Sequence, residues 1–255
     1  MTTPHPAWSW PAFIAHRGGG RLAPENTLAA MRTGVAHGFR MAEYDVKLSQ
    51  DGVPFLLHDD DIDRTSDGHG LASALDWKAL ADHDFGAWHS RDFTGEPAPT
   101  LLSVARYTQA CVMHSNIEIK PTTGYEHDTG IAVARAAARL WAGAVLPPLL
   151  SSFSETALEA ARTAAPELPR ALLIEGPVPS DWRARQTGLG CIGLNIDTAY
   201  ADRAVVRDIL DQGATLSIWT VNDPDRAREL LSWGCHAVFT DALDSVNPQA
   251  LGLNP

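Results

Sequence analysis

Two carboxylates, Glu43 and Asp45, stand two positions apart in the segment AEYDVKL, which has the composition of a buried strand. Side chains at this spacing leave the same face of a strand, whereas Tyr44 and Val46 would point to the opposite face and pack under helices. Two carboxylates in a buried site repel each other and lose hydration, and a bound cation relieves both costs. We therefore expect a cation site here rather than a solvent-exposed strand edge.

A third acidic residue occurs in a similar pattern in the segment NIEIKP. Glu118 and Lys120 share one face of the predicted strand, and such a pair taken alone is most often a simple salt bridge. Together with Glu43 and Asp45, however, Glu118 completes a set of three carboxylates. Since no thiolate or H-x-x-x-H pair accompanies them, the set favours one hard divalent cation, Mg²⁺ or Ca²⁺, over zinc.

Two histidines, His16 and His58, each follow a strongly apolar segment. A single histidine at the end of a strand is usually structural or simply exposed. Two that end apolar strands on the same side of a sheet indicate a general acid and base, because imidazole gains and loses a proton near neutral pH. Asp59 would orient the ring of His58, or it belongs to a solvated acidic loop.

The elements that would position these residues alternate along the chain as short apolar segments and longer segments of helical spacing. The predicted strands span residues 12–16, 41–48, 53–58, 116–120, 149–153, 170–175, 191–197, 215–221 and 237–241. The predicted helices span residues 27–37, 101–110, 130–141, 155–165, 201–212 and 224–233. About eight strand–helix units favour an α/β fold of the (β/α)8 TIM barrel type, in a single domain over residues 1–255, over an open doubly wound sheet. Such a barrel carries its active site at the C-terminal ends of the strands, where the polar residues above fall.

Residues 59–99 interrupt this alternation after the second strand region and form a predicted insertion with one short helix at 76–81. The insertion contains apolar residues, among them Leu71, Trp77, Leu80, Phe85 and Trp88, that would pack as a small unit. Because it begins directly after the second histidine and is far longer than an ordinary connection, we expect it to cover part of the barrel mouth. The alternative is that its aromatic residues only attach it to the flank of the barrel.

The composition limits the kinds of partner and the cellular compartment that we expect for this protein. A formal net charge of −11 argues against a nucleic acid partner, because a polyanion needs a dense basic surface, but it does not exclude a small anionic substrate. We find no signal peptide and no segment with the roughly 20 apolar residues of a membrane helix, and so expect no stable membrane insertion. The three well-separated cysteines argue against a disulfide framework, which favours the cytoplasm.

The order of the motifs resembles that of the glycerophosphodiester phosphodiesterase family, in its short bacterial cytosolic form. The matching segments are HRG at 16–18, PENT at 24–27, EYDV at 43–46, LHD at 57–59, RT at 64–65 with glycines after it, EIK at 118–120, WTVN at 219–222 and TD at 240–241. Any one of these is weak evidence, but the ordered set covers nearly the whole chain. The resemblance implies a (β/α)8 barrel that uses one divalent cation to hydrolyse small glycerophosphodiesters to glycerol 3-phosphate and an alcohol.

The resemblance also implies roles for individual residues. Glu43, Asp45 and Glu118 match the metal ligands of the family, and His16 and His58 match its acid and base. Which histidine is the acid, and whether water or the glycerol 2-hydroxyl is the nucleophile, stay open at this point.

Five further residues complete the predicted site. By resemblance, Arg17 and Lys120 hold the phosphate and Glu25 lies near them. Trp219 would either wall the substrate pocket or belong to the barrel core. Asp241 would either support the site or cap the following helix.

The glycines after Arg17 have a structural reason on this account. His16 and Arg17 must face the same anion, although strand alternation would send adjacent side chains to opposite faces. The chain therefore has to leave strand geometry at this point, and Gly18–Gly20 permit the bend.

Two other functions share these residues. A related barrel phosphodiesterase acting on lysophospholipids or sphingomyelin-like diesters would use the same groups, with Trp219 and the insertion lining a more apolar groove. A non-catalytic phosphodiester-binding protein is disfavoured, because a binding protein has no need of two proton carriers.

Overall fold

Strands and helices alternate in the computed structural model, which describes residues 8–252. Within that range the strands are β1 (Phe13–Ala15), β2 (Met41–Leu48), β3 (Pro54–Leu56), β4 (His114–Ile119), β5 (Leu149–Ser152), β6 (Arg170–Ile174), β7 (Gly193–Asp197), β8 (Thr215–Trp219) and β9 (Ala237–Thr240). The helices are α1 (Leu28–Ala36), α2 (Trp77–Ala81), α3 (Leu101–Ala110), α4 (Glu126–Leu140), α5 (Glu155–Ala164), α6 (Trp182–Gly188), α7 (Arg203–Asp211) and α8 (Pro224–Ser232).

Parallel pairing of eight strands closes the sheet. β1, β2 and β4 to β9 are hydrogen-bonded in sequence, and β1 pairs with both β9 and β2. Helices cover the outside between successive strands. The predicted (β/α)8 barrel is therefore confirmed.

Strand β3 lies outside the barrel, whereas we expected residues 53–58 to form a barrel strand. It runs antiparallel to the end of β2, with Val46 opposite Leu56 and Leu48 opposite Pro54. The sequence contains a signal for this arrangement, because only residues 49–52 separate the two predicted strands, and a parallel crossover needs a dozen or more. The antiparallel return has a consequence for the site: it leads the chain back towards the barrel mouth, and His58 arrives there from the opposite direction to His16.

The two faces of β2 separate the core from the site, as the alternation predicts. Tyr44 and Val46 are fully buried in the apolar layer between barrel and helices, while Glu43 and Asp45 point into the barrel. The N-terminal end of the barrel interior is filled by Trp8, Trp10, Ile14, Met41, Leu149, Ala171, Ala237 and Phe239. The interior therefore opens at the C-terminal ends of the strands.

Side-chain caps mark the starts of three helices. Thr27, Ser154 and Asp223 each accept hydrogen bonds from backbone N–H groups in the first turns of α1, α5 and α8. The sequence does not predict α6, because only Trp182 and Gln186 of its 7 residues are buried and no side chain caps its start.

The insertion builds a small apolar cluster beside β3. Its members are Phe55, Leu57, Ile62, Ala72, Leu80, Phe85 and Ala98. The predicted helix at 76–81 is present as α2, with Asp76 as its N-cap. Glu96 attaches the insertion to α1, since its carboxylate accepts hydrogen bonds from the Ala29 N–H at 2.7 Å and from the Arg32 guanidinium. Among residues 8–252, no helix has both the length and the apolar character needed to cross a membrane.

Candidate active site

A cleft of about 470 Å³ lies at the C-terminal ends of the barrel strands. It brings together eight of the predicted site residues, namely His16, Arg17, Glu43, Asp45, His58, Glu118, Lys120 and Trp219. The other three, Glu25, Asp59 and Asp241, lie behind this lining in contact with it. None of the residues lining the cleft comes from 59–99, although Asp59 and Arg64 of this segment contact site residues, so partial cover of the mouth stays a prediction. The apolar side chains of the insertion bury one another and the β3 segment.

Glu43, Asp45 and Glu118 converge inside the cleft. Each is buried, and each offers one carboxylate oxygen within 4.8 Å of the other two. Neighbouring strands produce this convergence, since Asp45 of β2 lies directly opposite Glu118 of β4. A set of carboxylate oxygens alone is the donor chemistry that Mg²⁺ and Ca²⁺ prefer, so the residues fit a hard divalent cation.

The electrostatics of the three acids point the same way. Burial and the charges of Asp45 and Glu118 raise the pKa of Glu43 well above its usual value. Burial and Asp45 likewise raise the pKa of Glu118 to about 7. Burial also opposes charge on Asp45, but Lys120, Arg17 and His58 outweigh it and hold the pKa of Asp45 well below its usual value. A charged acid beside two that ionise with difficulty is an arrangement that a cation stabilises.

Asn26 fixes the position of Asp45, and the sequence alone does not identify it as a site residue. Its side-chain amide donates to Asp45 Oδ2 at 2.8 Å, and its Oδ1 accepts from the Asp45 N–H at 3.0 Å. Asn26 is buried and has a φ of 58°, a left-handed conformation that asparagine tolerates better than most residues. Its one signal is its place in the PENT segment, directly before the N-cap of α1.

Asp241 holds His16 from behind, at a distance of 2.6 Å from Oδ1 to the ring Nδ1. Because a carboxylate only accepts, we assign the proton to Nδ1, which leaves Nε2 free, 3.9 Å from Glu43 Oε2. Asn222 in turn fixes Asp241: its amide donates to Oδ2 at 3.3 Å, and its Oδ1 accepts from the Asp241 N–H at 2.8 Å. Asp241 therefore supports His16, and no helix directly follows it to be capped.

His58 has the same kind of support. Its Nδ1 lies 2.6 Å from Asp59 Oδ1, which is the predicted contact. Burial and the cations Arg17 and Lys120 lower the pKa of His58, while Asp45 and Asp59 act in the opposite direction. The ring therefore favours the neutral form, with Nε2 available to accept a proton.

The loop after β1 turns sharply to place Arg17. Arg17 itself adopts a φ of 50°, and Gly18 and Gly20 adopt φ of 85° and 53°. A methyl group on Gly20 would lie 2.3 Å from the carbonyl oxygen of Asp241, so glycine also allows close approach here. The predicted bend is present, and it starts at Arg17 rather than after it.

Two cations face the acids. Lys120 Nζ lies 2.8 Å from Glu118 Oε1 and 3.6 Å from Asp45 Oδ1, and Arg17 Nε lies 3.8 Å from Asp45 Oδ2. Burial would lower the pKa of each, but the surrounding carboxylates raise both, so both stay charged. Each side chain remains about one-fifth exposed, at 21% and 22%, and so has access to an anion in the cleft.

Two further charged residues, Glu25 and Arg64, lie behind Arg17. Arg17 Nη1 donates to Glu25 Oε1 at 2.7 Å, which gives Glu25 a contact with the predicted phosphate-holding residue. Arg64, which the sequence marks only as part of the RT motif, donates to both Glu25 and Asp59.

The other side of the cleft carries an apolar patch. Phe153, Leu173, Trp219 and Phe239 form it beside the polar lining residues Asn116, Ser151, Glu175 and Thr220. The rings of Phe153 and Trp219 meet edge to face at 5.6 Å. Trp219 lines the pocket and also packs against the apolar cluster of the barrel interior, so the two alternatives that the sequence left open both apply. The cleft can therefore hold a phosphate on its ionic side and an uncharged substituent on the other.

Comparisons with known proteins agree with this arrangement. The pattern of the glycerophosphoryl diester phosphodiesterase family matches residues 16–245. A phosphodiesterase of Oleispira antarctica, solved in complex with the product sn-glycerol-3-phosphate, is 36% identical, with a TM-score of 0.91 over 95% of this chain and 97% of that one. A glycerophosphodiester phosphodiesterase of Caldanaerobacter subterraneus is 28% identical over 89% of this chain and 93% of its own length.

A more distant structure shares the fold. The glycerophosphodiester phosphodiesterase of Agrobacterium tumefaciens is 24% identical, with a TM-score of 0.76 over 91% of this chain and 96% of that one. The family match spans the barrel from His16 to beyond β9 and includes all the residues of the cleft. The chain therefore belongs to the glycerophosphoryl diester phosphodiesterase family and is a phosphoric diester hydrolase.

Proposed function

We propose that this enzyme hydrolyses glycerophosphodiesters with one divalent cation at Glu43, Asp45 and Glu118 and with His16 and His58 as proton carriers. The observation that carries the proposal is that both histidines line the cleft of the buried acidic trio and each has its Nδ1 held by a carboxylate at 2.6 Å. A proton carrier depends on such an orientation, and these two contacts lie at the cleft, unlike the Nδ1–carboxylate contacts of His83 and His127 elsewhere.

The residues divide the chemistry among them. When bound, Mg²⁺ or Ca²⁺ would offset the charge that develops on the phosphate oxygens. Arg17 and Lys120 hold the diester by charge-assisted hydrogen bonds. One histidine takes a proton from the nucleophile, water or the glycerol 2-hydroxyl, and the other gives a proton to the leaving alkoxide. With Nδ1 fixed on a carboxylate, each Nε2 is free for this transfer.

The expected products are glycerol 3-phosphate and an alcohol. The Oleispira antarctica neighbour supports the first of these, because it was solved with sn-glycerol-3-phosphate as its product. The cleft of about 470 Å³ accommodates a small diester of this kind. Trp219 and its neighbours on the apolar side would then contact the uncharged part of the substrate.

The apolar side also favours a second candidate, a diester that carries an acyl chain. Phe153 is 37% exposed beside Trp219, and an acyl chain would cover both rings. Lysophosphatidylcholine and glycerophosphocholine separate the two candidates, because they differ in the acyl chain alone.

The test is a release assay with purified protein in a series of divalent cations. Glycerophosphocholine should give glycerol 3-phosphate and choline, with kcat/KM at least tenfold above that for lysophosphatidylcholine. Faster turnover of lysophosphatidylcholine would favour the second candidate. Binding of both compounds without product would contradict the proposed reaction.

We also propose that the protein acts in the cytoplasm. Cys111, Cys191 and Cys235 are free thiols, and burial raises the pKa of both Cys191 and Cys235 to about 12, so these two are poorly reactive. Free thiols suit a reducing compartment. Cell fractionation tests this, and recovery of the protein outside the cytoplasm would contradict it.

A further inference from the structure

Arg64, the residue at the start of the insertion, makes two bidentate contacts with a single guanidinium. On one side Nη1 and Nη2 each donate to a Glu25 oxygen at 2.8 Å. On the other side Nε donates to Asp59 Oδ2 at 2.6 Å, and Nη2 donates to Asp59 Oδ1 at 3.1 Å. Only the planar fork of arginine fits two carboxylates in this way, and lysine has no equivalent.

Each of these carboxylates has a second partner in the cleft. Glu25 accepts from Arg17, with 2.7 Å between Oε1 and Nη1. Asp59 contacts His58, with 2.6 Å between Oδ1 and Nδ1. One guanidinium is therefore connected through Glu25 to the residue that would hold the phosphate, and through Asp59 to a residue that would carry a proton.

The contact is not explained by attachment of the insertion. Arg64 is 44% exposed, and exposed ion pairs contribute little to stability. The insertion is already attached by its own apolar cluster and by the contact between Arg32 and Glu96. Arg64 instead acts on the two carboxylates: its hydrogen bonds are the main reason that the pKa of Asp59 falls to about 2, and they also lower the pKa of Glu25 against the effect of burial.

We propose that Arg64 is a positioning residue that fixes Arg17 and His58 relative to one another, so that phosphate binding and proton transfer take place in one geometry. The inference rests on the proposed function, since it requires that both residues act on the diester. It also gives the insertion a role, which is to deliver this guanidinium to the rim of the barrel.

Substitution of one carboxylate at a time separates the connection to Arg17 from the connection to His58. Glu25→Gln weakens the connection to Arg17 and should mainly raise KM for glycerophosphocholine. Asp59→Asn weakens the connection to His58 and should mainly lower kcat. Arg64→Ala removes both connections, so it should raise KM and lower kcat together. The expected loss in kcat/KM is about 10- to 100-fold, as is usual when a group that orients another is removed. Arg64→Lys should recover part of this loss, because an ammonium group still reaches one carboxylate.

Arg32→Ala is the matched control. It removes another exposed arginine that binds both oxygens of a carboxylate, but Glu96 has no contact with the cleft. This variant should keep kcat and KM within about twofold of the parent. A second control is Arg64→Ala in a His58→Ala background, where the kcat loss should be much smaller than in the parent, because the residue through which Arg64 acts is gone.

The outcomes distinguish this inference from the proposed function. If the parent does not hydrolyse glycerophosphodiesters, or if His58→Ala is fully active, the proposed function fails. If the parent is active and His58→Ala is not, but Arg64→Ala matches Arg32→Ala, Arg64 has no positioning role. An equal kcat loss in the parent and in the His58→Ala background would also contradict the inference. Should Arg64→Ala fail to fold, Arg64→Lys, Glu25→Gln and Asp59→Asn provide the same comparison.

Discussion

At the scale of the residue, the two histidines of the cleft show the same arrangement although they come from different parts of the chain. His16 is held by Asp241, and His58 by Asp59, each through Nδ1 at 2.6 Å. This contact fixes which ring nitrogen carries the proton and leaves the other for transfer. It is therefore the contact at Nδ1, and not the residue type alone, that suits each histidine to acid–base chemistry.

Substitution of either histidine by alanine should lower kcat by about 10²- to 10⁴-fold, the usual contribution of a positioned acid or base. Both histidines are at the rim rather than in the core, so the thermal unfolding midpoint should change little. His127→Ala in α4, whose side chain is 66% exposed, serves as the control and should keep its kcat. A histidine whose alanine variant keeps near-parental kcat takes no part in proton transfer.

The residues that could be predicted from the sequence are those with a local pattern. Glu43, Asp45 and Glu118 follow from strand alternation, and His16 and His58 from their position after apolar segments. Their supporting residues are different, because the contacts cross the chain: Asp241 and His16 are separated by 225 positions. Asn26, Asn222 and Arg64 have no local pattern that predicts which acid each would bind. Such contacts emerge only when the barrel closes.

At the scale of the element, the loop after β1 and the strand β3 place the two halves of the site. The loop is held against the end of β9, since the His16 N–H donates to the Thr240 carbonyl and the Arg21 N–H donates to the Asp241 carbonyl, each at 3.0 Å. Glycine at position 20 is thus required for both its conformation and its small size. Substitution of Gly20 should displace Asp241, and the displacement of Asp241 should in turn disturb His16.

Gly20→Ala should therefore affect both stability and catalysis. The left-handed conformation and the contact with Asp241 should lower the free energy of unfolding by about 1–3 kcal/mol, and displacement of Asp241 should lower kcat. Gly38→Ala is the control, because Gly38 has a φ of 81° but nothing within 4 Å of its added methyl group. It should cost about 1 kcal/mol and leave kcat unchanged, as chemical denaturation and steady-state kinetics would show. Equal kcat values for the two variants would contradict this account of the loop.

The elements themselves were predictable to different degrees. The eight parallel strands follow from apolar segments between helical patterns, and the helix starts from Thr27, Ser154 and Asp223. The direction of β3 was missed because its composition is that of a barrel strand, although the four-residue connection before it excludes a parallel crossover. The place of the insertion cannot be predicted from the sequence, because its aromatic residues suit a cover as well as a flank. Composition predicts burial for such side chains but does not identify what they pack against, and Leu71 and Trp88 of the insertion are in fact exposed.

At the scale of the whole molecule, an acidic chain with a net charge of −11 buries three of its carboxylates at the centre of its cleft. Two of them have raised pKa values, and a carboxyl group of this kind stabilises the folded state below its unfolded pKa of about 4.5. This contribution is lost as the pH rises through the folded value, which is about 7 for Glu118. The metal-free protein should therefore become less stable between about pH 5 and pH 8.

A bound cation should reverse this trend, because it favours the ionised carboxylates. At pH 8 and a concentration about 100-fold above Kd, Mg²⁺ or Ca²⁺ should raise Tm by about 5–10 °C, and at pH 5 by clearly less. Differential scanning fluorimetry with and without cation measures this. Glu118→Gln should lose most of the cation effect and depend less on pH when metal-free. A cation effect that is larger at pH 5 than at pH 8 would show that these carboxylates are not the binding groups.

The most direct measurement of the central claim is glycerol 3-phosphate release from glycerophosphocholine by one protein sample that is stripped of metal and then reloaded. The account predicts no detectable release after chelation, with the metal content of the sample near zero, and recovery on addition of Mg²⁺ or Ca²⁺ at about one ion per chain. Glu118→Gln, treated in the same way, should not recover. Undiminished release from the stripped protein would contradict the account.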